Sequence, residues 1–147
     1  MTTEPSIKTR GEVSFALAKV AKLHRHRADE LLSRVGLYVG QEMLLDVLWT
    51  EGEMTQTELA NRLAIQPATL TVALKRLEKA GHVVRSRDPE DKRISRVQSS
   101  SKSKDLREGV MLAWSRLEYD TVQNLSEAEQ KMLSILLTKV SDGFSNE

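Results

Sequence analysis

The stretch Thr55–Val97, TQTELANRLAIQPATLTVALKRLEKAGHVVRSRDPEDKRISRV, decides how the rest of this 147-residue chain is read. It opens with Thr55-Gln56-Thr57-Glu58, a Thr-x-x-Glu capping box in which hydroxyl and carboxylate satisfy amides left free at a helix start. Leu59, Ala60 and Leu63 then recur on one helical face. Ala64-Ile65-Gln66 makes a tight connection, and Pro67 opens a second helix, where its missing N–H costs nothing and its fixed φ suits the first turn. That helix points Leu70, Ala73, Leu74 and Leu77 inward and runs to about Ala80, with Gly81 as a left-handed cap. Past Gly81 the period changes: 82–87 and 94–97 read as two short strands joined by the charged turn Asp88-Pro89-Glu90-Asp91-Lys92-Arg93, a basic β-hairpin.

Upstream, residues 12–35 place Val13, Leu17, Val20, His24, Ala28, Leu31 and Val35 at spacings of three and four, the stripe of a long amphipathic helix ended by Gly36. Residues 41–50 carry Met43, Leu44, Leu45, Val47, Leu48 and Trp49, apolar on most sides, so this helix is expected to be buried; Glu51-Gly52-Glu53 is read as a turn. Downstream, 99–103 is a polar loop into a helix of about 103–123, with Leu106, Val110, Ala113, Trp114, Leu117 and Thr121 inward. A second capping box, Ser126-Glu127-Ala128-Glu129, starts a last helix bearing Met132, Leu133, Leu136, Leu137 and Val140. The expected architecture is mainly α with a small β-hairpin: one domain over 1–147, a winged helix-turn-helix lobe over 36–100, and helices at 10–35 and 103–143 whose apolar stripes bury best against an identical chain.

Composition bounds the chemistry. The chain is 39% hydrophobic and 29% charged, as in folded proteins, and its 4% aromatic content leaves the core to aliphatic side chains. It has no cysteine, which excludes disulfides, thiol chemistry and thiolate-ligated zinc. Met1–Lys8 has no signal-peptide character and no apolar run reaches bilayer length, so the expected location is cytoplasmic, with no membrane partner. The net charge of +1 hides an asymmetry: residues 62–107 hold 12 Lys/Arg against 5 Asp/Glu, whereas 1–61 hold 7 against 9 and 108–147 hold 3 against 7. A cationic middle between acidic ends suits a segment that faces nucleic acid.

A helix standing clear of its lobe fits the major groove of duplex DNA, where base edges carry a distinct donor and acceptor pattern, and a cationic hairpin can grip backbone or minor groove beside it. Gln66, Pro67, Ala68, Thr69 and Thr71 occupy the first turns of that helix, with amide, hydroxyl and methyl groups suited to base edges. Lys75 and Arg76 follow one turn on, and Arg85, Arg87, Lys92, Arg93 and Arg96 charge the hairpin. The chain lacks a glycine-rich phosphate loop, a His/Glu metal motif and a nucleophile paired with a base, so no catalytic residue, metal ligand or cofactor is expected. His24 and His26, two apart on a helix, lie on different faces and cannot chelate one metal; His24 is expected to pack in the core.

The quoted stretch resembles the central segment of the MarR (multiple-antibiotic-resistance) family of bacterial regulators. The resemblance rests on LANRL, ATLTVALKRLEKAG and the wing turn 88–93, and covers residues 40–97. It implies a winged helix-turn-helix transcription regulator in which Arg93 contacts DNA and the aspartates brace the turn. One helix before the motif and two after it would dimerise, so that a homodimer occupies a pseudo-palindromic operator and represses until a small aromatic or phenolic anion releases it. By the same analogy His24, Arg27 and Trp49 are candidate effector-pocket residues. Two departures stand out. Val97-Gln98-Ser99-Ser100-Ser101 replaces the family's usual Leu-Thr continuation, which predicts an irregular start to the next helix. The recognition helix resembles that of the peroxide-sensing branch, yet the absence of cysteine excludes that sensing chemistry. Two other readings stay open: a DNA binder controlled by a partner or by its own abundance, without a small-molecule ligand, and a winged helix that binds protein.

Overall fold

In the computed structural model, residues 11–145 are described, and a single aliphatic core ties the middle of the chain together. The order is α1 (Glu12–Ser33), α2 (Gln41–Glu51), β1 (Met54–Thr55), α3 (Gln56–Leu63), α4 (Pro67–Lys79), β2 (Val83–Arg87), β3 (Ser95–Ser99), α5 (Ser101–Lys104), α6 (Arg107–Val122) and α7 (Glu127–Ser145). The fold is mostly helical with one small sheet. The readings made on Met1–Lys8 and residue 10 lie outside the described residues. No helix among the described residues is long and apolar enough to cross a membrane.

Helix ends follow the local chemistry. Thr55 caps α3, its Oγ1 accepting from Glu58 N at 3.1 Å. The Ser126 box is reciprocal: Ser126 N donates to Glu129 Oε1 at 2.9 Å, and Glu129 N to Ser126 Oγ at 3.2 Å. At the end of α4, Gly81 (φ 82°) turns left-handed, so that His82 N reaches Leu77 O at 2.8 Å and Gly81 N reaches Glu78 O at 3.0 Å. Two carbonyls that a helix end leaves open are thereby satisfied. The turn between α3 and α4 closes the same way, Ile65 N on Ala60 O and Ala64 N on Asn61 O. There the left-handed residue is Ala64 (φ 53°), where a Cβ makes the conformation costly.

The sheet is antiparallel in the order β1-β3-β2, with Arg85 opposite Val97 and Thr55 opposite Arg96. The two hairpin strands were expected; β1 was not, since two residues have no period to read, and Thr55 both pairs with β3 and caps α3. Core side chains come from every element of the lobe: Leu37, Leu44, Leu45, Leu48, Leu59, Leu70, Leu74, Leu77 and Val97 are at most 2% exposed. Terminal helices join it through α1 and α6, where Ala28, Leu31 and Leu32 meet Ala113 and Leu117.

Several sequence expectations need correction. The helix expected from about 103 starts at Arg107; before it the expected irregular start takes the form of a separate turn, α5, capped by Ser100, whose Oγ accepts from Ser103 N, and the helix is interrupted at Asp105-Leu106. Met43 on α2 is exposed, so that helix is buried on one side only. Trp114 and Thr121 of α6 are exposed where inward packing was expected; Val13, Leu17 and Val20 of α1 and Met132, Leu136, Leu137 and Val140 of α7, whose stripes were expected to bury against an identical chain, are exposed as well. His24 is half-buried and outside the core cluster. The apolar periodicity of these helices is real, but among the described residues no surface covers its exposed part.

Candidate nucleic-acid interface

Helix α4 is sorted by face. Leu70, Leu74 and Leu77 are sealed into the core, while Gln66, Pro67, Ala68, Thr69, Lys75 and Arg76 are exposed, with Val72 exposed among them. The N-terminal turn can stand in solvent without an unmet donor at its first position because Pro67 has no N–H to satisfy. Thr71 is half-buried and its Oγ1 donates to Pro67 O at 3.0 Å. Its hydroxyl is therefore engaged within the helix, and its methyl is the group left to face outward chemistry.

Beside that turn lies an open cleft of about 480 Å³ between α3, α4 and the hairpin, and Thr71 and Arg93 both line it. Gln56, Thr57, Asn61 and Ser95 complete its polar rim. Sequence reading missed these four. The outward polar positions of α3 could have flagged Thr57 and Asn61; nothing marked Ser95, whose place depends on the strand register.

The hairpin cations divide into two sets. Arg85 is turned back onto α4, its guanidinium held by Glu78 at 3.0 and 3.3 Å, and this pairing keeps the Glu78 carboxyl below its ordinary range. Arg96 spans Glu53 Oε1 at 2.9 Å and Asp88 Oδ2 at 3.3 Å. These two are committed to the body of the lobe. Arg87, Lys92 and Arg93 stand exposed toward the tip, Arg93 with 90% of its side chain free. Asp88 braces the turn by accepting from Glu90 N and Asp91 N at 2.9 and 3.1 Å, which holds its carboxyl low before Arg96 adds to the effect. Asp91 grips Arg93 with both oxygens, at 3.0 Å to Nε and 3.0 Å to Nη2, and accepts from Arg93 N at 3.1 Å.

The three candidate pocket residues are not gathered. Arg27 on α1 donates to Asp120 of α6 at 2.7 Å and to Glu30 at 2.9 Å. Trp49 Nε1 donates to the buried Ser103 Oγ at 3.2 Å, and Trp49 lines a separate cleft of about 410 Å³ with Gln98, Ser99, Lys104 and Arg107. Neither His24 nor Arg27 lines that cleft. Among the described residues no three His, Cys, Asp or Glu side chains are grouped to hold a metal ion.

Known proteins share this arrangement. Residues 37–95 match the profile of the MarR family. An uncharacterized HTH-type transcriptional regulator of Bacillus cereus is 34% identical over 113 residues, which is 77% of this chain and 76% of that protein. Among solved structures, a mutant MarR from E. coli complexed with operator DNA is similar with a TM-score of 0.83 at 25% identity, covering 93% of this chain and 99% of that one. A probable transcriptional regulator from Pseudomonas aeruginosa gives 0.79 at 27% identity, covering 87% and 96%.

Proposed function

This chain belongs to the MarR family of DNA-binding winged helix-turn-helix transcription regulators, and from that premise we propose that it acts in the cytoplasm as a homodimeric repressor released by a small-molecule effector. The observation that carries the reading is the exposed first turn of α4 beside three exposed tip cations, with the opposite face of the same helix fully buried. A helix held this way offers Gln66, Ala68 and Thr69 to base edges in a major groove, while Lys75, Arg76, Arg87, Lys92 and Arg93 meet phosphates or the minor groove. Arg85 contributes less than its charge implies, because Glu78 holds it with only 22% of its side chain exposed, whereas Arg93 stays 90% exposed beside Asp91.

In this reading residues 36–100 form the DNA-binding lobe, and the helices of 10–35 and 103–143 pair with those of a second copy. The exposed apolar side chains of α1 and α7 support the pairing, since a stripe of that extent is costly in water. A two-fold dimer would place two recognition helices in successive major grooves on a pseudo-palindromic operator, with half-sites roughly ten base pairs apart. An effector that altered the span between lobes would release DNA, because a rigid two-point contact loses its avidity when the spacing no longer fits. The cleft beside Trp49 carries Lys104 and Arg107, which supports an aromatic or phenolic anion as the effector class.

Competition gel shifts test the reading. Arg93→Ala is expected to weaken binding to all duplexes about tenfold and to flatten the salt dependence, whereas Gln66→Ala and Thr69→Ala change the ranking among sites. Binding by Arg93→Ala equal to that of the parent would remove the wing from the interface.

A further inference from the structure

Arg96 looks at first like one more cation for DNA, but its surroundings give it different work. It sits on the central strand of the sheet, opposite Thr55 on one side and Ser86 on the other. Its Nε meets Glu53, just before β1 at the root of the lobe, and its Nη1 meets Asp88 at the mouth of the wing turn. Asp88 in turn holds the amides of Glu90 and Asp91, and the Asp91 carboxylate grips the Arg93 guanidinium. A continuous series of charge-assisted bonds therefore runs from the body of the lobe to the exposed tip.

We propose that Arg96, anchored by Glu53, is a positioning residue that fixes where the wing turn holds Arg93 against DNA and does not itself contact DNA. The inference rests on the reading of Arg93 as a DNA contact. Energetics favour this role over a purely stabilising one: with 30% of the Arg96 side chain and 43% of Glu53 exposed, their ion pair adds little to folding, whereas a planar guanidinium that bridges Glu53 and the more covered Asp88 (18%) defines an orientation. A point charge on a free hairpin would leave the tip to rotate about its own strands. Held at Asp88, the tip takes its direction from the same turn that leads into α3, so wing and helix meet DNA in one fixed relation.

The test is a double-mutant cycle read by fluorescence anisotropy on a labelled mixed-sequence duplex of about 30 base pairs, long enough for two half-sites. Glu53→Ala removes a negative charge from a DNA-binding lobe, so charge alone makes it bind tighter; positioning makes it bind weaker, by about tenfold. Arg96→Gln should also lose about tenfold in the parent and less than about twofold once Arg93→Ala is present. Tighter binding by Glu53→Ala, or an Arg96→Gln loss that persists undiminished without Arg93, overturns the proposal, the second outcome marking Arg96 as a direct contact. If Arg93→Ala alone costs nothing, the DNA-contact reading of the wing fails first, and that outcome is distinct from the other two. Should Arg96→Gln melt early, Glu53→Ala on its exposed bend still decides the sign.

Discussion

The lobe between Leu37 and Val97 and the last helix, α7, are built from the same amphipathic grammar and end in opposite conditions. In the lobe every leucine of the repeat finds cover within the chain, down to complete burial at Leu45, Leu59, Leu74, Leu77 and Val97. Along α7 no described residue is buried, although Met132, Ile135, Leu136, Leu137 and Val140 recur at helical spacing. An apolar stripe thus marks a face to be covered without saying by what. Three helices and a sheet close on each other in the lobe; among the described residues nothing covers the stripe of α7, and the proposed second copy is what would.

Leu74→Ala should separate the two regions most sharply. It opens a void at the centre of the lobe, with an expected loss of about 2 to 5 kcal/mol in urea denaturation and loss of DNA binding at temperatures where the parent is folded. Leu137→Glu should do the converse. Near-native melting of the lobe is expected, with sedimentation changing from dimer to monomer and DNA affinity falling for want of the second half-site. If Leu137→Glu stays dimeric at micromolar concentration, α7 is not the pairing surface.

Between α6 and the turn that follows α1, beside the lobe, the chain is tight. A Cβ added at Gly109 of α6 would stand 2.7 Å from Val35 Cγ1, closer than nonbonded carbons tolerate, and the branched valine has little freedom to turn aside. Gly109→Ala should therefore cost about 1 to 3 kcal/mol although alanine favours helix, and Val35→Ala in the same chain should recover much of it. Additive losses from the two changes would place the crowding elsewhere.

How legible each feature is in the sequence follows the range of the interaction behind it. Capping boxes at Thr55 and Ser126, Pro67 at a first turn and Gly81 at a helix end act within a few residues, and each stands where the pattern put it. The exposed turn of α4 was legible for the same reason, since a buried leucine face leaves the remaining residues outside. Partners distant in the chain were not legible. The cations of the hairpin look alike in sequence, and only register with β1 and contact with α4 divide Arg85 and Arg96 from Arg93. Likewise β1 is two residues long, and its existence depends on β3, some forty positions later.

His82 gives the smallest expected effect, and it belongs to the lobe alone. It lies between the end of α4 and β2 with 9% exposure, its Nδ1 has no hydrogen-bond partner, and Lys102 stands near with a positive charge of its own, donating to Ala80 O at 3.0 Å. Burial first and Lys102 second hold the imidazole below its ordinary value of 6.5, so the folded chain keeps it neutral where the unfolded chain takes up a proton. Stability from this site is whole above that value and declines as pH falls through it, with a slope that cannot exceed about 1.4 kcal/mol per pH unit for one proton. The paired carboxylates Glu78, Asp88 and Asp91 are held low and titrate further down, and the buried Glu42, raised by desolvation, acts in the opposite sense. Denaturation midpoints between about pH 7.5 and about pH 5.5 should therefore fall in the parent and stay nearly level in His82→Gln. On α1, His26→Gln, with Glu30 at 3.0 Å from the parent side chain, is the comparison variant outside the lobe. A decline that vanished with His26 and not with His82 would move the pH dependence out of the lobe and into the terminal helices.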